Sequence, residues 1–176
     1  MLVLRLQNIQ GMLMVSGHIK APGSNKVAYM REWGHAKDFV DAMWRILQLD
    51  MPDDFVIATG ITTEVRKFVK MAFEEVGFEI EFRGSGINEK AFVPKCNNPE
   101  YSVKTGQEIV AIDPYYFRTT EVDILLGDPT KAKKLLNWES KYTVRDLVNE
   151  MVASDIHHFK GEKLLKENGF QTKISW

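Results

Sequence analysis

Two segments of the chain each place one arginine among aromatic and small residues. They are residues 31–38 (Arg-Glu-Trp-Gly-His-Ala-Lys-Asp) and residues 115–123 (Tyr-Tyr-Phe-Arg-Thr-Thr-Glu-Val-Asp). A guanidinium group can bind two anionic oxygens at once, which suits a phosphate or a carboxylate. Arg31 and Arg118 are therefore candidate anion-binding residues, and Glu121 follows Arg118 by three positions.

Each candidate also has a plain structural interpretation. From the residues alone, an arginine near a helix start such as Arg31 is more often a surface residue than a ligand contact. Arg118 and Glu121 fit a helical ion pair, worth only a few tenths of a kcal/mol. We interpret Trp33 as a packing residue at a helix entrance. A structural hydrogen bond explains His35 at least as well as a role in a site.

The composition narrows the class of protein. A chain of 176 residues with 44% hydrophobic residues can bury the core of one domain, or of one domain and part of another. Its net charge of -1 gives no general attraction to nucleic acid or to a membrane surface. The single Cys96 fits a reducing compartment, and no run of residues has the pattern of a signal peptide or a membrane span. We expect a cytoplasmic protein without a metal site, because no histidine lies in a metal-binding motif.

The elements that position these residues alternate between helices and strands, which indicates an α/β protein. An apolar stripe predicts a helix from Ala36 to Pro52, with Asp38 favourable in its first turn. Residues 55–58 predict a buried strand, which a right-handed crossover connects to a strand over residues 78–82. Thr62 or Thr63 is the expected cap of the helix between them.

The second half of the chain is less regular. Glycines, prolines and asparagines predict a long loop over residues 83–108, followed by a short strand over residues 109–112. Asp128 and Pro129 predict the N-cap and first residue of a short helix. Thr143 and Asp146 predict a capping box at the start of the last helix.

Several motifs together resemble the C-terminal half of GDP-mannose 4,6-dehydratases, members of the extended short-chain dehydrogenase/reductase class. They are the two arginine segments, residues 54–60 (Asp-Phe-Val-Ile-Ala-Thr-Gly), residues 126–132 (Leu-Gly-Asp-Pro-Thr-Lys-Ala) and Asn137-Trp138. The resemblance extends from residue 31 to about residue 170, and its motifs follow one another in order. It implies a partial extended short-chain dehydrogenase fold: a substrate-binding domain plus the last elements of the nucleotide-binding sheet. Residues 1–30 match poorly, so residues 31–176 form the expected substrate-binding region.

The resemblance also implies roles for site residues. Arg31 approaches the diphosphate of the nucleotide-sugar, and Arg118 reaches the GDP group from the opposite side. Glu121 lies close to the ribose or the base, where a carboxylate accepts hydrogen bonds. The family usually has proline where this chain has Thr119, a departure that loosens the segment around Glu121. No catalytic, cofactor-binding or metal-binding residue of the family falls on this chain.

Two features of the family's catalytic half have no counterpart in the sequence. One is a glycine-rich turn for the cofactor pyrophosphate. The other is Tyr-x-x-x-Lys, because the residues four positions after the five tyrosines are Trp33, Thr105, Thr119, Thr120 and Asp146. We therefore expect no NADP binding by this chain alone, although the full-length family uses NADP as its cofactor.

The function implied by the resemblance is a lyase reaction of nucleotide-sugar metabolism, leading to GDP-fucose. The full-length family converts GDP-mannose to GDP-4-keto-6-deoxymannose. This chain is expected to supply the GDP-sugar-binding half, as a truncated or split dehydratase that associates with a cofactor-binding half or forms a homo-oligomer. The alternative is a non-catalytic protein that binds a nucleotide-sugar or a full-length dehydratase. Whether the chain itself is an enzyme stays open at this point.

Overall fold

The computed structural model describes residues 2–9, 12–19, 30–101, 103–113 and 124–170, the first two ranges by their backbone alone. The strands are β1 (Leu2–Ile9), β2 (Met12–Ile19), β3 (Met30–Glu32), β4 (Thr62–Glu64), β5 (Phe78–Arg83), β6 (Lys90–Cys96) and β7 (Glu108–Ile112). The helices are α1 (Ala36–Ile46), α2 (Val65–Glu75), α3 (Thr130–Leu136) and α4 (Val144–Glu167), and Gly86–Asn88 forms one 3-10 turn. Arg118 and Glu121 lie outside the described residues.

The strands form two sheets. Five of them make a mixed sheet in the order β1-β2-β7-β6-β5, in which only β2 and β7 run parallel. β3 and β4 form a separate antiparallel pair. This arrangement confirms the α/β class. Within the described ranges, no helix is both long enough and apolar enough to cross a membrane.

The main core lies between the five-stranded sheet and helices α2 and α4. Phe68, Val69, Ala72 and Phe73 recur on one face of α2 and are buried, as helical periodicity requires. They pack against buried strand residues and against α4. Gly77 ends the α2 turn with φ of 85°, a left-handed conformation that glycine adopts without strain.

A second, smaller cluster joins α1 to α3. Ala42, Ala132, Leu136 and Trp138 form its buried centre. Phe55 and Ile57, which alternate along the chain, pack against this cluster from the predicted strand segment. Asn137 reverses the chain after α3 in the left-handed conformation, with φ of 48°.

Three predictions about the strands and their connections are wrong. Residues 55–58 form no ladder with any described strand, because their apolar pattern reflects packing on the α1–α3 cluster rather than sheet pairing. The predicted crossover fails with it, since β4 and β5 belong to different sheets. Residues 83–108 are not one loop: β6 lies inside, where Ala91 and Val93 are fully buried. The glycines and prolines of residues 83–108 obscured the alternation of buried and exposed residues in β6.

Two cap predictions are also wrong, and a third is confirmed. Thr62 and Thr63 belong to β4, so α2 begins directly after Glu64 without a side-chain cap. Pro129 itself is the N-cap of α3, one residue later than expected. The capping box between Thr143 and Asp146 is present, with both reciprocal hydrogen bonds.

Candidate functional site

Arg31 lies on β3, which has β4 on one side and the segment that begins at Ile124 on the other. On one side of β3, Arg31 pairs with Thr63 of β4. On the other side, Met30 forms a parallel bridge with Ile124, and the Leu125 amide donates to the Met30 carbonyl at 3.3 Å. The half-buried Arg31 side chain donates from Nη1 to the Met30 carbonyl at 3.0 Å. Both neighbours of β3 therefore fix the backbone that carries Arg31.

The bridge places Ile124, the residue that follows the second arginine segment in sequence, beside β3. Ile124 follows Arg118 by six residues and Glu121 by three. A six-residue extended chain spans at most about 20 Å, which limits how far Arg118 can lie from this bridge. Arg118 and Glu121 fall outside the described residues, so Arg31 is the one predicted site residue whose contacts the structure describes.

Glu32 joins three separate parts of the chain. One carboxylate oxygen, Oε1, accepts from the Gly60 amide at 2.7 Å, and the other, Oε2, accepts from the Gly127 amide at 2.8 Å. Burial raises the pKa of this carboxyl group. The hydrogen bonds from Gly127, Gly60 and Thr59 outweigh burial and lower the pKa below its usual value. Glu32 thus remains ionised and holds both loops.

Gly127 is required by the close approach of these loops. A Cβ atom at this position would lie 2.5 Å from the Ala58 Cβ and 3.2 Å from a Val56 methyl carbon. The first distance is far shorter than a van der Waals contact. Only glycine lets the backbone amide come within reach of the Glu32 carboxylate.

Trp33 is a packing residue, as predicted. Its ring stacks on Phe68 of α2, with centroids 4.1 Å apart and planes 18° apart. Its Nε1 donates to the Thr63 carbonyl at 3.3 Å. Trp33 therefore connects the end of β3 to the main core, and its one polar atom already has a partner.

His35 makes structural hydrogen bonds at the start of α1. Its Nδ1 accepts from the Lys37 amide at 3.1 Å, so the ring proton lies on Nε2, which donates to Glu150 of α4 at 3.2 Å. Lys37 donates to the same Glu150 carboxylate at 2.7 Å. This contact raises the pKa of Lys37 and lowers that of Glu150. His35 and Lys37 therefore connect the start of α1 to Glu150 of α4, and the Tyr142 ring stacks on His35.

Asp38 does more than favour the helix start. It is buried, and its Oδ2 accepts from the Ser140 hydroxyl at 2.9 Å and from the Lys141 and Tyr142 amides at 3.1 Å each. Its backbone carbonyl accepts from Trp138 Nε1 at 2.9 Å. Asp38 thereby holds residues 138–142 against α1, a role that its position in the first turn did not predict.

A cavity of about 330 Å³ lies between residues 58–63, part of which Glu32 holds, and residues 138–144, part of which Asp38 holds. Trp33, Trp138 and Tyr142 contribute aromatic walls, and Thr59 and Thr63 contribute hydroxyl-bearing ones. Arg31 does not line it. Both indole N–H groups that face this region donate within the protein, so the cavity offers a mostly apolar surface.

The described residues do not fit a dinucleotide pyrophosphate. Such a group needs a glycine-rich turn between a strand and a helix N-terminus. Between β3 and α1, the His35 side chain occupies the helix N-terminus and Asp38 adds a negative charge. Between β4 and α2 there is no connecting turn at all. Nor does this part of the chain hold a group of three or more acidic, histidine or cysteine side chains suited to a metal ion.

Sequence reasoning missed Glu32 and the loop-holding role of Asp38. Both acids lie in the segment it singled out, but their partners are backbone amides distant in sequence. Gly127 lies 95 residues from Glu32 and Tyr142 lies 104 residues from Asp38. Backbone amides leave no signature in residue types, so no signal in the sequence identifies these contacts.

Comparison of the sequence with known proteins gives matches to one family. The family model described as GDP-mannose 4,6 dehydratase matches residues 13–151. The chain is 51% identical over 148 residues to a GDP-mannose 4,6-dehydratase of Yersinia enterocolitica, covering 83% of this chain and 40% of that protein. It is 48% identical over 126 residues to the human GDP-mannose 4,6 dehydratase, covering 72% and 32% of the two chains. The chain thus spans about two fifths or less of the length of these curated relatives.

Solved structures also resemble the fold. One of them is RMD from Pseudomonas aeruginosa complexed with NADPH, with a TM-score of 0.50 and 10% sequence identity. The match covers 76% of this chain and 34% of that one. At this identity the likeness concerns the fold alone, and it is consistent with part of a short-chain dehydrogenase fold.

Proposed function

The chain belongs to the GDP-mannose 4,6-dehydratase family, and we propose that it supplies a GDP-sugar-binding half for that family's reaction. In this proposal Arg31 binds the diphosphate, Arg118 binds the GDP group from the other side, and Glu121 accepts from the ribose or base. With a cofactor-binding half that holds NADP, the product is GDP-4-keto-6-deoxymannose. The chain alone binds substrate without turning it over.

The parallel bridge between Met30 and Ile124 is the observation that carries this proposal. It joins the strand of Arg31 to the end of the segment that contains Arg118 and Glu121. A pair of arginines suits a diphosphate, which offers paired anionic oxygens on both sides. The net charge of -1 means that attraction to the ligand comes from these local groups.

Titration calorimetry with GDP-mannose and UDP-glucose tests the proposal. We expect weak binding with a preference for GDP-mannose. Arg31→Lys and Arg118→Lys should each reduce affinity about tenfold, because lysine keeps the charge but loses the two-pronged geometry. Arg83→Lys is the matched control, since Arg83 is exposed and pairs with Glu81 on β5. Equal, feeble binding of both nucleotide-sugars would contradict a specific site.

Activity assays test whether this chain only binds the substrate and needs a cofactor-binding half for turnover. The purified chain with GDP-mannose and NADP should form no 4-keto-6-deoxy product. A cofactor-binding half of a relative, added in trans, is expected to restore turnover if the two parts associate. Product formed by this chain on its own would falsify the proposal that it is a binding half.

The alternative is a non-catalytic protein that binds a dehydratase, and one observation favours it. Val40, Met43, Trp44 and Leu47 follow helical spacing on α1, yet all four are more than 60% exposed. An exposed apolar stripe of this kind is typical of a protein interface. Under this alternative, the chain captures a dehydratase whether or not either arginine is replaced by lysine.

A further inference from the structure

We propose that Glu32 is a positioning residue for the nucleotide-sugar site, holding β3 and Arg31 in register between the segments at Gly60 and Gly127. The role rests on the proposed function, because it assumes that Arg31 contacts the ligand. Glu32 itself need not touch the ligand. Its carboxylate is directed at the protein backbone on both sides.

The first support is the geometry of the carboxylate. Each of its oxygens accepts one backbone amide hydrogen, at 2.7 Å from Gly60 and 2.8 Å from Gly127. These partners lie 28 and 95 residues away in sequence and on different segments. Hydrogen bonds to an ionised acceptor are shorter and stronger than neutral ones. One side chain therefore fastens two loops to the strand that carries Arg31.

The second support is the lack of other regular pairing around β3. The strand has only three residues, and β4 pairs with it along one side. On the other side, the described contacts are one bridge to Ile124 and one hydrogen bond from the Leu125 amide to the Met30 carbonyl. Three-residue strands are at the short limit for a stable ladder. The Glu32 contacts supply order that the ladder alone does not.

The third support is independent of Glu32. Residue 127 must be glycine, because a Cβ there would lie 2.5 Å from the Ala58 Cβ. The segment around Gly127 is therefore packed directly on residues 56–58, where its amide meets the carboxylate. Gly127→Ala disturbs the same junction from the opposite side without changing any charge.

Calorimetry with GDP-mannose on the full chain tests the role. Glutamine at position 32 keeps the shape but presents its NH₂ group to one of the two amides, so Glu32→Gln should weaken binding about tenfold, as expected when a rotamer-rich group must be ordered on binding. Gly127→Ala should act in the same direction. Glu81→Gln, which removes an exposed carboxylate paired with Arg83, is the matched control and should leave affinity unchanged.

A double-mutant cycle separates positioning from loss of general stability. If Glu32 acts through Arg31, Glu32→Gln should weaken binding far less in an Arg31→Lys background than in the unchanged chain. Equal fold-losses in both backgrounds would overturn the positioning role. The cycle is read at a temperature where all variants are folded by circular dichroism.

Hydrogen exchange without ligand distinguishes failure of this inference from failure of the proposed function. Glu32→Gln should speed exchange of at least one of the Gly60 and Gly127 amides, the one that then faces the NH₂ group, at least tenfold, while exchange in β5–β7 stays unchanged. Unchanged exchange at both glycines would overturn the inference even if GDP-mannose binds. If exchange changes as expected but the unaltered chain does not bind GDP-mannose, the proposed function fails and the positioning role fails with it. The contact of Glu32 with the two loops would remain as a structural result.

Discussion

At the scale of single residues, the segment 31–38 contains two acids, Glu32 and Asp38, whose side chains hold distant parts of the chain. Both carboxylates accept hydrogen bonds from distant loops, and their donors include the backbone amides of Gly60, Gly127, Lys141 and Tyr142. A carboxylate is well suited to this because it is a pure acceptor with several lone pairs. In the proposed site, these acids position the segment and Arg31 contacts the ligand.

The lowered pKa of Glu32 gives a prediction about acid stability. A carboxyl group whose pKa is lower in the folded state contributes stability above its unfolded-state pKa and loses that contribution as pH falls through the folded-state value. The difference in free energy of unfolding between the unchanged chain and Glu32→Gln should therefore be constant near neutrality and shrink below a pH of about 4.5.

Denaturant unfolding at a series of pH values measures this difference. Glu81→Gln serves as the control, because its exposed carboxylate accepts from Arg83 and no backbone amide is among its described partners. A difference that stays constant down to pH 3 would show that the ionised form of Glu32 is not what holds the two loops.

At the scale of elements, Asp38 connects a helix to a loop that is 100 residues away in sequence. Replacing it with asparagine removes the negative charge that strengthens all three hydrogen bonds to Oδ2, and it turns the other carboxylate oxygen into an NH₂ group, a buried donor. An unsatisfied buried donor costs about 1–3 kcal/mol. We expect Asp38→Asn to lower the free energy of unfolding by about 2–4 kcal/mol.

Chemical denaturation measures this loss, with Asp50→Asn as a control on an exposed aspartate just beyond the same helix. The control should change stability by less than about 0.5 kcal/mol. Similar stabilities for the two variants would mean that the loop at residues 138–142 is held by other contacts, such as the hydrogen bond from Trp138 to the Asp38 carbonyl.

How far the sequence predicts these elements depends on whether their signals are local. Helices α1, α2 and α4 follow from the 3.6-residue periodicity of their apolar positions, and the α4 capping box follows from Thr143 and Asp146 alone. The predicted strand at residues 55–58 fails because an apolar run reports burial without saying what covers it. Strand β6 is missed since Pro94 and nearby glycines suggest a loop, while its buried alternation at Ala91 and Val93 is short.

In the candidate site, too, features with a local signal are predicted and features that depend on tertiary contacts are missed. Residue types and the family resemblance identify Arg31, Arg118 and Glu121 as candidates, and the packing role of Trp33 is confirmed. The contacts of Glu32 depend on the return of the chain at Gly127, a tertiary feature that no local pattern encodes. The roles of Arg118 and Glu121 stay predictions, since both lie outside the described residues.

At the scale of the whole molecule, the distribution of apolar side chains is uneven. The α2–α4 side is well buried, whereas α1 exposes apolar residues on the face opposite Ala42. Residues 55–58, whose backbone pairs with no described strand, lie near the same helix through the α1–α3 cluster. Extended apolar segments and exposed apolar faces favour association with another chain. The part of the molecule that contains α1 is therefore where we expect it to associate.

The last prediction tests this expectation in solution. At micromolar concentrations the purified chain should self-associate, because Val40 and Leu47, 63% and 79% exposed, are more stable when covered. The double variant Val40→Glu, Leu47→Lys should shift the protein toward a monomer in size-exclusion chromatography with light scattering. Its melting temperature should not fall, since both side chains are exposed in the monomer. Leu164→Lys is a control on an exposed leucine of α4, 62% accessible, and should leave association unchanged. A monodisperse, cooperatively melting monomer from the unchanged chain would show that the α1 face is stable in water without a partner.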